Sequence, residues 1–155
     1  LLNYDNVREL LLNFRTPLRL ESFSHNLEEL IERFKQQTSI EVTAMVDASN
    51  INLSDKEKLE IVLIIQEALS NIRKHANATE VEITIEQRQN QFTLLIKDNG
   101  IGFDDHTLSQ KEENGHIGTL IMKERAHKAN GVLTLISEPN KGTSVLLEIQ
   151  RHHII

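Results

Sequence analysis

The apolar residues of this chain change their spacing from one segment to the next, and this change limits the fold more than any other feature of the sequence. Two segments carry apolar residues at the helical spacing of three and four, from about Ser24 to Gln37 and from about Asp55 to His75. Between them, Ile40 to Val46 alternates and is rich in β-branched residues, which predicts a strand. A chain that mixes both periods is expected to pack helices on a sheet.

Ser54 and Glu57 predict where the longer of these helices begins. They form the Ser-x-x-Glu sequence of a capping box, in which each side chain accepts a hydrogen bond from a backbone N–H that the first turn leaves without a partner. Further along, Ile61 to Ile65 is apolar almost all round the helix. We therefore expect other elements to cover this helix on more than one side.

The second half of the chain is dominated by strands. Apolar and polar residues alternate in four short segments, which are bounded by turn sequences such as Gln89-Asn90 and Pro139-Asn140-Lys141-Gly142. One further helix is predicted, from about Thr119 to Ala129, and Asn130-Gly131 ends it. The four strand segments are 81–85, 92–96, 132–137 and 144–149. The sequence therefore predicts an α/β (α+β) two-layer sandwich, with about five strands in one sheet and three main helices on one of its faces.

The composition excludes several classes of function. The 155 residues include 17 basic and 23 acidic ones, a formal net charge of −6. Binding nucleic acid without sequence preference requires a basic surface, so we expect no nucleic-acid partner. The absence of cysteine excludes disulfides, cysteine-based zinc sites and thiol catalysis. The longest mostly apolar run, Ile61 to Ile65, is far shorter than the roughly 18 residues that cross a bilayer.

Four polar residues of the long helix point in similar directions. At 100° per residue their side chains lie within about 100° of one another, opposite the apolar stripe. They are Glu67, Asn71, Lys74 and His75. Carboxylate and amide oxygens suit Mg²⁺ or its water ligands, and a lysine supplies a point charge for phosphate. The alternative interpretation is a solvated helix face without a ligand.

Glycines mark two further candidate sites. Asp98 ends a predicted strand and precedes Gly100 and Gly102, so a carboxylate that can accept from an exocyclic amine lies beside backbone that can approach a flat ligand. Gly115 and Gly118 open a predicted helix, whose backbone donors and partial positive charge favour phosphate. The alternatives are a strand-ending turn for the first site and a plain glycine-bearing helix entry for the second.

In order and spacing, these segments resemble the sequence boxes of sensor histidine kinases over about 80 residues. Glu67 to Ala76 resembles the N box, and Asp98 to Phe103 is similar to the first glycine box. Gly115 to Gly118, followed by Met122 to Ala126, is similar to the second glycine box, and Lys141 to Thr143 to the last. The Met-x-Glu-Arg-Ala sequence and the short lid resemble the subfamily that includes the bacterial nitrate/nitrite sensor kinases.

The resemblance implies an adenine-binding role for the residues after the strand. Asp98 would accept a hydrogen bond from the adenine amine. Gly100 and Gly102 belong to the same box, and Gly102 would let the base lie against the backbone. Thr143 belongs to the last glycine box and would also contribute to nucleotide binding.

The resemblance also implies roles at the phosphate end of ATP. Asn71 would hold Mg²⁺ between the phosphates, and Lys74 and His75 would meet the phosphates themselves. Glu67 stands where the hydrolytic relatives activate water, so it is the candidate catalytic residue, either as a base or as a positioning group.

A nucleotide lid is implied between the first and second glycine boxes. Gly115 and Gly118 would form its hinge and the phosphate-facing start of the next helix. The segment from Asp104 to Gly115 is polar and has few apolar residues, so we expect it to act as the lid. Thr119 and Ile121 depart from the subfamily, which often has Leu and a further Gly there.

For the whole chain, the resemblance implies the Bergerat ATP-binding fold, a mixed sheet with three helices on one face, with ATP and Mg²⁺ as cofactors. Residues 23–151 would form the ATP-binding catalytic domain and 152–155 a tail. Because no Met opens the sequence and Val7 to Leu12 already has helical character, 1–22 would be the end of a helical linker from an upstream domain.

That upstream domain would be a helical hairpin that carries the phosphoacceptor histidine, and the full-length protein would be a dimeric inner-membrane sensor with a cognate response regulator. The fragment itself is expected to be cytoplasmic and monomeric, without direct membrane contact. Two alternatives remain open: a Bergerat-type ATPase or chaperone module, and a non-catalytic nucleotide-binding or interaction module. The gap of about 12 residues from Phe103 to Gly115 argues against the first, since such modules tend to have longer lids.

Overall fold

A computed structural model describes residues 23–47, 52–102 and 114–150, and in these ranges the chain forms three α-helices and five strands. The helices are α1 (Phe23–Gln37), α2 (Asp55–Asn71) and α3 (Asn114–Lys128). The strands are β1 (Glu41–Val46), β2 (Glu80–Arg88), β3 (Gln91–Asp98), β4 (Val132–Glu138) and β5 (Gly142–Gln150). The predicted fold class is confirmed. The opening helix before Pro17, the lid residues up to 113 and the tail after 150 lie outside the described residues.

The five strands form one mixed sheet in the order β1-β2-β3-β5-β4. β1 pairs with β2 in parallel, and every other neighbouring pair is antiparallel. The β2–β3 hairpin predicted from its polar turn is present, and Gln89 adopts a φ of 55° in that turn. β3 lies in the middle of the sheet, so its carboxyl end at Asp98 is flanked by strands on both sides.

The core lies between the helices and one face of the sheet. On β2, β3 and β5 the buried apolar residues alternate with residues that are more exposed, which is the pattern of a sheet covered on one face. The buried positions of these strands are Val81, Ile83, Ile85, Phe92, Leu94, Ile96, Val145, Leu147 and Ile149. All three helices contribute to the same cluster, including Phe34 of α1, Ile64 of α2 and Met122 of α3.

The start of α2 is the capping box that the sequence predicts. The backbone N–H of Glu57 donates to the Ser54 hydroxyl at 3.1 Å, and the backbone N–H of Ser54 donates to Oε1 of Glu57 at 2.8 Å. At its other end α2 continues into one wider, π-helical turn, Ile72–Ala76, and Asn77 closes it with a φ of 51°. The predicted helix to His75 is therefore present, but its last turn is π-helical.

The third helix begins earlier than predicted. The sequence favours a start near Thr119, because Gly115 and Gly118 are poor helix formers, whereas α3 begins at Asn114. Gly118 therefore lies in the second turn of α3, against Glu67 and Asn71 of α2, and not at the helix start where the sequence predicts it. Tertiary packing of this kind can stabilise a helical turn that local propensity does not favour. The predicted stop is confirmed: Asn130 has a φ of 60°, and the N–H of Gly131 donates to the Ala126 carbonyl at 2.8 Å.

Candidate functional site

Glu67 and Asn71 lie one turn apart near the end of α2, and both are half-buried. Lys74 and His75 follow in the π-helical turn and are exposed. Burial raises the pKa of Glu67, and the positive charges of Lys74 and His75 oppose that shift, so all three side chains interact electrostatically. The structure thus brings the four predicted residues to one end of α2.

The amino-terminal turns of α3 lie directly over this polar face. A Cβ on Gly118 would lie 2.5 Å from Oε1 of Glu67 and 3.1–3.2 Å from the side-chain amide of Asn71. No side chain fits at this position without displacing those groups. Gly118 therefore brings the backbone of α3 against the carboxylate of Glu67 and the amide of Asn71, and its contact with a ligand stays a prediction. Gly115 lies in the first turn of the same helix.

Asp98 lies at the carboxyl end of β3 and is buried, with 4% of its surface exposed. Its carboxylate accepts a hydrogen bond from the backbone N–H of Gly100 at 2.8 Å. Burial raises the pKa of Asp98, while hydrogen bonds from the backbone N–H groups of Gly100 and Thr143 oppose that rise. Backbone N–H groups thus occupy part of the hydrogen-bonding capacity of this buried carboxylate. Its remaining capacity is suited to accept a hydrogen bond from a ligand.

Asn99 holds the loop after Asp98 in place. Its Oδ1 accepts from the backbone N–H groups of Thr79 and Glu80 at 3.0 and 2.9 Å, and its Nδ2 donates to the Thr79 hydroxyl at 2.9 Å. The segment therefore forms the turn that the sequence offers as the alternative interpretation. The same turn also holds Asp98 of the candidate site, so the two interpretations do not exclude each other. Sequence reasoning missed the role of Asn99, because Thr79 and Glu80 are about 20 residues away.

The loop glycines are required by close packing within the protein. A Cβ on Gly100 would lie 2.2 Å from the Ala76 carbonyl oxygen, and the N–H of Ile101 donates to that same carbonyl at 2.8 Å. Gly102 has a φ of +62°, and its Cβ would lie 2.0 Å from the carbonyl oxygen of Glu138. The contact at Gly100 joins the π-helical turn after α2 to the loop that follows Asp98. The contact at Gly102 joins the end of β4 to the same loop. Contact between Gly100 or Gly102 and a ligand stays a prediction.

The β4–β5 turn completes this edge of the sheet. Gly142 has a φ of +82°, and its Cβ would lie 2.0 Å from the carbonyl oxygen of Asp98. The Thr143 hydroxyl lies 2.8 Å from that of Ser137, while its backbone N–H interacts with Asp98. The backbone of Thr143 thus supports the buried carboxylate. The closeness of Gly142 to Asp98 joins residues over 40 positions apart and has no local sequence signal.

The described residues offer oxygen donors for a cation without forming a closed metal site. No group of three or more His, Asp or Glu residues capable of holding a metal occurs in 23–47, 52–102 and 114–150. Asn71 and Glu67 provide an amide and a carboxylate on one face. This donor set fits Mg²⁺, which keeps several waters and is often held through one or two protein oxygens and the phosphates of a substrate.

Comparison with known proteins identifies related chains. The family described as histidine kinase-, DNA gyrase B- and HSP90-like ATPase matches residues 56–153. The histidine-protein kinase/phosphatase DegS of Brevibacillus brevis is 39% identical over 127 residues, which cover 79% of this chain and 31% of that protein. The nitrate/nitrite sensor protein NarQ of Escherichia coli is 33% identical over 148 residues, covering 95% of this chain and 25% of NarQ.

Solved structures share the fold. The Acinetobacter baumannii histidine kinase AdeS matches with a TM-score of 0.68 at 14% identity, over 84% of this chain and 66% of that one. The histidine kinase domain of the Erythrobacter litoralis EL346 blue-light activated kinase matches with a TM-score of 0.67 at 18% identity, over 83% and 60%. The chain spans only a quarter to a third of the length of DegS and NarQ. In the part of the chain that the structure describes, no helix is long and apolar enough to cross a membrane.

Proposed function

This chain belongs to the family of histidine kinase-, DNA gyrase B- and HSP90-like ATPases, and we propose that it is the ATP-binding catalytic part of a two-component sensor histidine kinase. ATP binding follows from membership in an ATPase family. The observation that carries the proposal is the contact between the α3 backbone at Gly118 and the Glu67–Asn71 face of α2. Because Gly118 is the fifth residue of α3, the helix start with its unpaired backbone N–H groups lies about one turn from this carboxylate and amide. A helix start near a carboxylate and an amide suits a phosphate chain with its cation.

We place the adenine at Asp98. The buried carboxylate keeps its acceptor capacity, because backbone N–H groups rather than a cationic side chain satisfy part of it. An exocyclic amine is a donor of the matching kind. Gly100, Gly102 and Thr143 hold the loop and turn around this carboxylate through the contacts described above.

We place the phosphates at the end of α2 and the start of α3. Asn71 would bind Mg²⁺, which would bridge phosphate oxygens and neutralise their charge. Lys74 and His75 are exposed cationic or ionisable groups within the electrostatic reach of Glu67, and they would meet the phosphates. Gly115, in the first turn of α3, would present its backbone N–H, and Gly118 would keep the helix backbone close to Glu67 and Asn71. Phosphoryl transfer depends mainly on positioning and charge neutralisation, which this set of groups supplies.

Glu67 is the proposed catalytic residue. Burial raises its pKa, so it is a better proton acceptor than an exposed glutamate, and the charges of Lys74 and His75 keep it from rising further. In a kinase this carboxylate would orient or deprotonate the incoming nucleophile. The acceptor would be a histidine on a helical hairpin of the full-length protein.

A hydrolytic ATPase or chaperone module is the competing function on the same fold. Relatives that match most of this chain include sensor proteins and histidine kinases. These names favour the kinase function over the hydrolytic one. Steady-state release of phosphate from ATP in the absence of any acceptor separates the two. A non-catalytic module is separated from both by failure to bind nucleotide.

The further assignments concern the full-length protein. We propose a dimeric inner-membrane sensor that passes phosphate to a cognate response regulator and responds to nitrate or nitrite. The nitrate/nitrite sensor proteins NarQ and NarX of Escherichia coli match 95% and 94% of the chain. This similarity supports nitrate or nitrite as the signal. The names of DegS and LiaS, which are of comparable identity, do not include nitrate. Nitrate dependence of phosphorylation in the full-length protein therefore tests the signal separately from the kinase activity.

Calorimetric titration with a non-hydrolysable ATP analogue, with and without Mg²⁺, tests the proposed site. The parent chain should bind, and Mg²⁺ should increase its affinity. Asn71→Ala should remove that increase, whereas the matched control Asn52→Ala, on an exposed residue outside the site, should keep it. An Asn71→Ala variant with the full Mg²⁺ effect would contradict the assignment of Asn71, and absence of binding by the parent would contradict the function.

A further inference from the structure

Met122 and Ala126 lie one to two turns beyond Gly118 on the face of α3 that is turned to the interior. Met122 and Ala126 are 2% and 1% exposed and belong to the common core with residues of α2. Arg125, in the same segment, reaches across to α2, where its Nη1 lies 3.3 Å from Oε2 of Glu60. The two side chains are 13% and 8% exposed, so this ion pair is nearly enclosed between the helices.

The Arg125–Glu60 pair is one of two polar contacts described between α3 and α2, beside the apolar core that the two helices share. The other is Gly118, whose missing side chain leaves room for Glu67. Glu60 precedes Glu67 by seven residues, and Arg125 follows Gly118 by seven. The helices therefore run antiparallel, with the two points about 10.5 Å apart at 1.5 Å per residue.

The energetics of a buried ion pair favour a role in specificity over a role in stability. Removing two charges from water costs free energy that their attraction does not always return, and apolar replacement of both partners is often neutral or stabilising. The ion pair forms in only one register of α3 against α2, the one in which Arg125 lies opposite Glu60. A slip of one helical turn, about 5.4 Å, would separate Arg125 from Glu60. In one direction it would also place Met122 where Gly118 now lies.

We propose that Arg125 and Glu60 are positioning residues for nucleotide binding. Their ion pair sets the register of α3 on α2 and thereby holds the α3 backbone at Gly118 over Glu67 and Asn71. The identity of the ligand rests on the proposed function above, but the register is a property of the chain without ligand. The two parts of the proposal can therefore be measured separately.

The first measurement compares stability with affinity in the double variant Glu60→Met/Arg125→Met. Because both charges are removed together, the thermal midpoint should match or exceed that of the parent. Affinity for a non-hydrolysable ATP analogue should nevertheless fall about tenfold, within the roughly 2- to 30-fold range of residues that act on a site without touching its ligand. The control Glu124→Gln/Lys128→Gln removes an exposed ion pair within α3 and should change neither quantity.

The second measurement follows the register without nucleotide. The chain has no cysteine, so Lys56→Cys on α2 and Lys123→Cys on α3, both exposed positions, accept spin labels selectively. The parent and the control should give one narrow distance distribution between the labels. The Glu60→Met/Arg125→Met variant should shift or broaden it by about 5 Å, the rise of one helical turn.

The outcomes are separable. A double variant that unfolds, or that keeps the distance distribution of the parent, overturns the register, whatever happens to binding. A shifted register with unchanged nucleotide affinity overturns the positioning role. A parent that binds no nucleotide contradicts the proposed function alone, and the distance measurement then still decides whether the ion pair sets the register.

Discussion

At the scale of single residues, Asp98 is subject to two opposing requirements. Burial of its charge disfavours the unliganded fold, whereas its proposed role as an acceptor for adenine would strengthen nucleotide binding. Asp98→Asn should therefore lower nucleotide affinity by about 10- to 150-fold, which corresponds to about 1.5–3 kcal/mol for a hydrogen bond to a charged group. Titration calorimetry measures the loss. The exposed Glu82→Gln on β2 is the matched control and should bind like the parent.

The same substitution gives a stability prediction that depends on pH. Burial raises the pKa of Asp98 above its usual 3.8, so the folded state holds this proton more tightly than the unfolded state. The resulting stability is fully present below pH 3.8 and is lost as the pH rises through the raised pKa. Asp98→Asn should thus be as stable as the parent near pH 3.5 and more stable at pH 7, as measured by urea denaturation. A variant less stable than the parent at pH 7 would show that the charge itself is stabilising.

Gly118→Ala tests the contact between α3 and the polar face of α2. The new methyl would displace Glu67 and Asn71, and a misplacement of about 1 Å in a site can cost up to about 100-fold. We expect nucleotide affinity to fall by at least about tenfold. Alanine is the better helix former by about 1 kcal/mol, so the fold should lose little stability. Lys123→Ala, exposed on the same helix, should leave affinity unchanged. Equal affinities for Gly118→Ala and the parent would remove Gly118 from the site.

The sequence predicts the chemical groups of the candidate site, but it does not predict their contacts. Asp98, Glu67 and Asn71 were predicted because their residue types and spacing suit a nucleotide. The contact of Gly118 with Glu67 and the closeness of Gly142 to Asp98 could not be predicted, because each joins residues more than 40 positions apart. Such contacts depend on how whole elements pack, which local patterns do not encode.

At the scale of elements, the capping box should stabilise α2 without affecting the ligand site. Ser54→Ala removes the hydroxyl that accepts from the Glu57 N–H and should cost about 1 kcal/mol of unfolding free energy. Because Ser54 lies over three turns from Glu67, nucleotide affinity should be unchanged. Urea midpoints and calorimetry measure the two effects, with Lys56→Ala as the control for stability. A large loss of affinity in Ser54→Ala would show that the whole of α2 responds as one unit.

Helix boundaries show where local signals are sufficient and where they are not. The capping box predicted the start of α2 correctly, because its hydrogen bonds are made within one turn. The start of α3 was predicted five residues late, because glycine is a poor helix former and local propensity therefore favours a later start. The π-helical turn after Asn71 was not predicted either; it ends at Ala76, whose carbonyl accepts from the N–H of Ile101 in a loop 25 positions further along the chain.

At the scale of the whole molecule, the layers were predictable and the strand order was not. Alternation on β2, β3 and β5 predicts a sheet with one buried face, and the helical periods predict what covers it. The mixed sheet was an implication of the family resemblance. The placement of β5 between β3 and β4 follows from long-range pairing that no segment specifies alone. This placement brings the β4–β5 turn to Asp98 and thus builds the site.

The central claim is that this chain binds ATP and delivers its γ-phosphoryl group to a histidine on another domain. The most direct test incubates the chain with γ-labelled ATP and Mg²⁺, alone and with the helical hairpin fragment of the full-length protein. His75, the histidine among the proposed ligand groups, lies in the π-helical turn. With phosphates bound at the proposed position it would be badly placed for in-line attack. We predict acid-labile label on the added hairpin and none on the chain. Stoichiometric label on the chain alone would contradict the account.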